Sequence, residues 1–137
     1  MRILGIDYGD SRIGLSLSDL LNITAQPLRV LHVEHGWKSV TPLIKDIMIE
    51  YDIKKVVIGY PINLDGTKGV RCDVTDRFID ALLKETGDIE VIRWDERYTT
   101  KQAEFVLGKK EKNKGRHDIV SAVLILQSYL DFFYKKN

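Results

Sequence analysis

Arg2-Ile3-Leu4-Gly5-Ile6-Asp7-Tyr8-Gly9 is a short apolar run that stops on a carboxylate. A run of this length reads as a buried strand. A carboxylate closing such a strand is costly unless a cation, a hydrogen bond or solvent receives it. Asp7 therefore belongs either at a sheet edge facing water or at a site that needs negative charge. Gly9-Asp10-Ser11 is turn chemistry. Residues 12–19 then alternate, with Ile13, Leu15 and Leu17 on one face and Arg12, Gly14, Ser16 and Ser18 on the other. That is the pattern of a half-buried strand. Two strands and their turn make a hairpin with Asp7 near its tip.

Working outward, residues 20–26 read as a connection. Pro27 opens a third extended run, 28–33, in which Leu28 and Val30 alternate against Arg29 and Leu31. Pro is tolerated at the start of a strand. From Trp37 the period changes. Val40, Leu43, Ile44, Ile47, Met48 and Tyr51 recur at helical spacing. Thr41 followed by Pro42 predicts an N-cap and first helical position. Lys55-Val56-Val57-Ile58-Gly59-Tyr60-Pro61 has the uninterrupted apolar core of a strand covered on both faces, typical of parallel pairing. Val70, Val74, Phe78, Ala81 and Leu82 mark a second helix, closed by Gly87. Residues 89–94 are a fifth strand, polar enough at Glu90 and Arg93 to be an edge. Thr99 and Gln102 form a capping box for a short helix through Leu107. Residues 108–115 read as a basic loop between two glycines. A last helix follows over 116–134, its buried stripe formed by Ile119, Ala122, Val123, Leu126, Tyr129, Leu130 and Phe133. Three meandering strands followed by alternating units predict an α/β fold with a mixed five-stranded sheet flanked by helices.

At 137 residues the chain fits one domain, 1–137, large enough for a real core. Hydrophobic content of 44% and charged content of 30% fit an ordinary soluble globular protein. The single cysteine, Cys72, excludes an internal disulfide and a multi-cysteine zinc site. No apolar run is long enough to span a membrane. The N-terminus lacks the features of a signal peptide, so a cytoplasmic location is expected.

Three acidic points stand out: Asp7 ending the first strand, Asp95-Glu96 ending the fifth, and Asp118 opening the last helix. If strands one, four and five run parallel, their carboxyl ends share one edge, where open sheets of this type bind ligands. The loop at 61–67 emerges there too. Converging carboxylates repel one another unless a hard cation, Mg2+ or Mn2+, joins them. Two such ions can activate water and stabilise the leaving oxygen in phosphodiester cleavage. Each acid also has an ordinary reading. Asp118 suits a helix N-terminus, and Asp95 can pair with Arg93 or Arg97. The coincidence of all three favours a site.

The net charge of +1 predicts no polyanion partner in bulk, but the charge is unevenly placed. Lys109, Lys110, Lys112, Lys114 and Arg116 lead directly into Asp118. A basic arm beside a carboxylate cluster suits a nucleic-acid backbone. Lys68 and Arg71 add to that surface. Asn63, Asp65 and Thr67 read first as loop-forming side chains, and Cys72, Trp37, Trp94 and Phe105 as packing.

Taken together, Ile3-Leu4-Gly5-Ile6-Asp7-Tyr8-Gly9, Arg12-Ile13-Gly14, Ile58-Gly59-Tyr60-Pro61, Asn63-Leu64-Asp65-Gly66-Thr67, Asp95-Glu96-Arg97 and Asp118 with Ser121-Ala122-Val123 resemble the YqgF (RuvX-like) family. The resemblance is collinear over nearly the whole chain. It implies an RNase H-like fold related to Holliday junction resolvases. It also implies a cytoplasmic, metal-dependent nuclease that matures the 5′ end of precursor small-subunit ribosomal RNA. The family's acidic site falls on Asp7, on Asp95-Glu96 and on Asp118, the metal ligands expected being Asp7, Glu96 and Asp118. Glu96 is preferred over Asp95 because its longer arm reaches from a strand end.

Three other readings compete. One is a Holliday junction resolvase acting on branched DNA. Another is a non-catalytic RNA-binding ribosome-assembly module. The third is a sugar-kinase or actin-like ATPase, disfavoured by chain length and by the lack of a second phosphate hairpin.

Overall fold

The computed structural model describes residues 1–99 and 114–134, the first three of the second stretch by backbone alone. Strands β1 (Ile3–Tyr8), β2 (Arg12–Ser18), β3 (Ala25–His32), β4 (Lys55–Tyr60) and β5 (Glu90–Asp95) form one sheet in the order β3-β2-β1-β4-β5. β2 pairs antiparallel with β1 and β3, while β1, β4 and β5 run parallel. The carboxyl ends of β1, β4 and β5 therefore share one edge, as the strand order predicts.

Helices α1 (Thr41–Glu50) and α2 (Val70–Thr86) cover one face, and α3 (Lys114–Phe133) the other. Alternation along β1 assigns its side chains. Leu4 and Ile6 join the core beneath α1 and α2, with Ile44, Ile58 and Phe78. Ile3 joins the core beneath α3, with Val57, Trp94, Leu126 and Tyr129. Asp7 is two strand steps from Gly5 and four from Ile3, so it lies on the α3 face.

Three expectations about the strands and first helix change. β2 is covered on both faces. Its polar side is roofed by α3, and Ser16 donates its hydroxyl to the Ala122 carbonyl at 2.7 Å. Ser18 is likewise buried and receives the Ile3 N–H at 2.7 Å. In β3, which begins at Ala25, Pro27 sits inside an edge strand beside the register shift between Leu15 and Ser16. A bulge accommodates proline and reverses the alternation beyond it. Leu31 thus enters the core, contrary to its expected outward face. In α1 the N-cap is Val40 and Thr41 is the first helical residue, with Pro42 following. The Trp37–Ser39 turn of 3-10 helix leads directly into α1 and leaves Thr41 buried rather than capping.

In α2 the buried stripe is Cys72, Thr75, Phe78, Ile79 and Leu82, and Val70 is exposed. Gly87 closes the helix at φ 78°, a conformation suited to glycine. α3 starts at Lys114, so residues 114–115 are helical rather than loop. Its stripe includes Ile125, while Phe133 is exposed. Beyond Thr99, the expected short helix through residue 107, the remaining basic loop at 108–113 and Phe105 lie outside the described residues.

Candidate active site

The approach of α3 to the sheet rests on three glycines, one in each of β1, β2 and β4. A side chain at Gly5 would meet Leu126, one at Gly59 would meet Ile125, and one at Gly14 would meet the backbone carbonyl of Asp118. Without side chains at these points α3 beds directly on the backbone. Gly14 faces Asp7 across the β1–β2 pair. Facing residues in such a pair have Cα atoms about 4.5–5.5 Å apart. The start of α3 is therefore set beside Asp7 by backbone contact, and the separation of 111 positions between Asp7 and Asp118 (118 − 7) is bridged by packing.

β5 supplies the third carboxylate. Tyr60 pairs with Asp95 and Gly59 with Trp94. Ile92 and Trp94 pack toward α3, whereas Val91 packs on the α1–α2 side. Arg93 also points to that side, where its Nε donates to Asp76 at 2.8 Å. Asp95 is held by its neighbour Arg97, which donates from Nη2 at 2.7 Å and from its backbone N–H at 2.9 Å. That hydrogen bonding holds the Asp95 carboxyl below the usual carboxylate range. Glu96 opens the 3-10 turn Glu96–Tyr98, and its carboxylate lies over Gly59 in the space a side chain there would fill. The two adjacent acids thus part company, Asp95 into an ion pair and Glu96 toward the α3 face. Thr99 turns back on this turn, its hydroxyl donating to the Glu96 carbonyl at 2.9 Å. Gln102, its expected capping partner, lies outside the described residues.

Electrostatics tie the three acids together. The Asp7 carboxyl is pushed up to about 8, first by burial, then by the charges of Glu96 and Asp118, with Arg71 acting in the opposite sense. Glu96 is also raised, by burial first, while Arg71 lowers it. A carboxylate at the end of a buried strand, facing two others, holds its negative charge only against a penalty. The donor set is all oxygen, which suits a hard divalent cation. Among the described residues no three His, Cys, Asp or Glu side chains are gathered tightly enough to hold an ion as they stand. Asp118 is instead engaged by Arg12, whose Nε lies 2.8 Å from its Oδ2. A second ion pair joins Arg71 to Asp10, Nη1 to Oδ2 at 2.9 Å, and neither pair was legible as a partnership in the sequence, although Arg12 and Arg71 both stood on elements leading to the site.

The 61–67 loop emerges at the same edge. Asp65 accepts from the Thr67 N–H at 2.9 Å and hydroxyl at 2.6 Å, and Asn63 donates to the Thr67 hydroxyl at 3.0 Å. These side chains build the loop itself, as first read. Cys72 is buried and Trp94 packs among Tyr98, Tyr129 and Phe132. Lys109, Lys110 and Lys112, and the side chains of Lys114 and Arg116, lie outside the described residues.

The RuvX family profile, described as a Holliday junction resolvase, matches residues 1–132. The chain belongs to the RuvX family. A relative from Syntrophus aciditrophicus (strain SB), named "Putative pre-16S rRNA nuclease", is 47% identical over 135 residues, which is 96% of this chain and 89% of the relative. Another from Acetivibrio thermocellus carries the same name and is 49% identical over 139 residues, 96% of each chain. Among solved structures, T. thermophilus RuvC in complex with a Holliday junction substrate superposes with a TM-score of 0.62 at 14% identity, covering 96% of this chain and 94% of that one. A second Thermus thermophilus RuvC structure gives 0.59 at 13% identity, over 96% of each chain. That likeness shows the fold, which is RNase H-like, as the RuvX resemblance implied.

Proposed function

We propose that this RuvX-family chain is a metal-dependent nuclease that hydrolyses phosphodiester bonds in RNA, acting at the 5′ end of precursor small-subunit ribosomal RNA. The observation that carries the reading is that Glu96, over Gly59, and Asp118, over Gly14, flank Asp7 at the carboxyl end of β1, where burial first and then these two charges push Asp7 up to about 8. Its relatives' name supports the substrate. Asp7, Glu96 and Asp118 would hold Mg2+ or Mn2+, with Asp118 released from Arg12. Such ions, when bound, activate water and neutralise charge on the leaving oxygen.

The chain's own residues do the rest. Asp7 stands between the other two acids and can share its oxygens with both sides of the site. Glu96 is held over Gly59 by its turn, and Asp118 is fixed by the seat of α3 on Gly14. Asp95, already paired with Arg97, supports the turn that carries Glu96 rather than acting on substrate. The Lys109–Arg116 arm would grip the backbone, and a cytoplasmic setting follows from such a substrate. No helix among the described residues is long and apolar enough to cross a membrane.

The test is cleavage of a precursor small-subunit ribosomal RNA fragment with and without magnesium, for the wild type and Asp7→Asn. The reading requires metal-dependent cleavage that Asp7→Asn abolishes while remaining folded. Cleavage unchanged in that variant overturns it. The family description supports a second reading, resolution of branched DNA. A four-way DNA junction run beside the RNA decides between them.

A further inference from the structure

A polyanion approaching three carboxylates is repelled, so a site of this kind needs a cation at its mouth. Arg71 occupies that place. It lies in the first turn of α2, which starts at the same sheet edge as Asp7 and Glu96. Its Nη1 donates to both oxygens of Asp10, at 3.1 and 2.9 Å. Asp10 sits in the β1–β2 turn, three residues past Asp7, so the pair spans the mouth from α2 to the hairpin. The two side chains are 48% and 68% exposed. An ion pair this open is screened by water and contributes little to folding. A guanidinium has five N–H donors in a planar fork, and the bonds to Asp10 use one nitrogen. The fork thus retains donors for a second oxyanion, and Arg suits phosphate because its geometry is bidentate. Charge reach agrees: Arg71 acts against the upward shifts of both Asp7 and Glu96. Three residues earlier Lys68 lies 5.6 Å from the centre of the Tyr60 ring and adds positive potential on the same rim.

We infer that Arg71, parked on Asp10, docks a backbone phosphate of the substrate RNA at the mouth of the acidic site. Asp10 is a placeholder: it keeps the guanidinium extended over the site and yields it to phosphate. The inference rests on the nuclease reading and adds to it a named substrate contact, outside the acids.

The experiment measures binding of the full chain in EDTA to two fluorescent probes, a single-stranded oligoribonucleotide and a four-way DNA junction, across a potassium chloride series. Wild type, Arg71→Gln, Arg71→Lys and Asp10→Asn are compared. Arg71→Gln weakens RNA binding about tenfold, the loss expected for one charge-assisted contact. It also lowers the slope of log affinity against log salt by about 0.7, as removal of one phosphate contact from a single strand requires. Arg71→Lys keeps the slope. Asp10→Asn binds RNA at least as tightly as wild type, because the guanidinium is freed. An unchanged slope and affinity in a folded Arg71→Gln overturns the inference, as does a loss in Asp10→Asn equal to that in Arg71→Gln. An effect on the junction with none on the RNA overturns the assignment to RNA. Magnesium-dependent cleavage run in parallel separates the two levels. If wild type cleaves and Arg71→Gln keeps its KM, the Arg71 contact fails alone; if wild type cleaves nothing, the nuclease reading fails with it.

Discussion

The Nε of Arg12 donates to Oδ2 of Asp118 at 2.8 Å, joining the first residue of β2 to the opening turns of α3 across 106 positions of chain. The side chains are 29% and 18% exposed, so the pair is partly desolvated. The acid set beside Asp7 by the seat of α3 is thus neutralised from the other side by a cation.

Removing that cation has a defined cost. Arg12→Gln leaves a partly buried carboxylate without its charged donor and should lose about 1.5–3 kcal/mol of stability in EDTA. If magnesium takes over the compensation of Asp118, the loss shrinks when the same denaturant titration is done with magnesium present. An equal loss in both buffers argues that the pair is structural and that Asp118 does not bind the ion.

The metal-free protein should lose stability as pH rises, through Asp7. Its folded value of about 8 lies above the ordinary 3.8, so between these pH values the folded state holds more protons than the unfolded chain. Stability supplied by the protonated form is fully present below about pH 4 and is lost as pH passes through about 8. The slope from this group cannot exceed about 1.4 kcal/mol per pH unit. Urea titrations over that window, in EDTA, should show the fall for wild type and its absence for Asp7→Asn. A wild-type slope of opposite sign, unchanged in Asp7→Asn, rules out the shift.

Asp7→Asn should therefore be more stable than wild type in EDTA at pH 8, while losing metal-dependent cleavage. An asparagine keeps the shape and carries no charge toward Glu96 and Asp118. Magnesium should raise the melting temperature of wild type more than that of the variant. The opposite ordering would show that Asp7 is not where the ion is held.

Gly14→Ala tests the seat of α3. The added methyl would meet the Asp118 carbonyl, which is backbone and cannot swing aside. Overpacking of this kind costs about 1–3 kcal/mol. Cleavage should fall more steeply than stability, because the displaced segment carries Asp118. A variant with wild-type cleavage and melting temperature would show that α3 rides more loosely on the sheet than the contact implies.

Much of this molecule was legible from local pattern. Alternation in β2 and the apolar core of β4 placed the strands, helical spacing placed α1 and α2, and the polarity of Glu90 and Arg93 placed β5 at an edge. These follow from backbone geometry repeating every two or 3.6 residues, so a few consecutive side chains suffice to reveal it. The bulge in β3 escaped, since one extra residue shifts the alternation and Pro27 reads equally well at a strand's start.

The amino-acid order by itself placed Asp7 near the end of a buried strand, Asp95 and Glu96 around the end of another, and Asp118 in the opening turns of the last helix. Only the tertiary structure decided which of them meet. Asp95 was claimed by Arg97, Glu96 turned over Gly59, and Asp118 was brought beside Asp7 while paired with Arg12. The physical reason is that a side chain's partner across a sheet or helix is chosen by how closely the backbones can approach. Here Gly5, Gly14 and Gly59 set that approach jointly, from three different strands, and no single stretch of sequence reveals it.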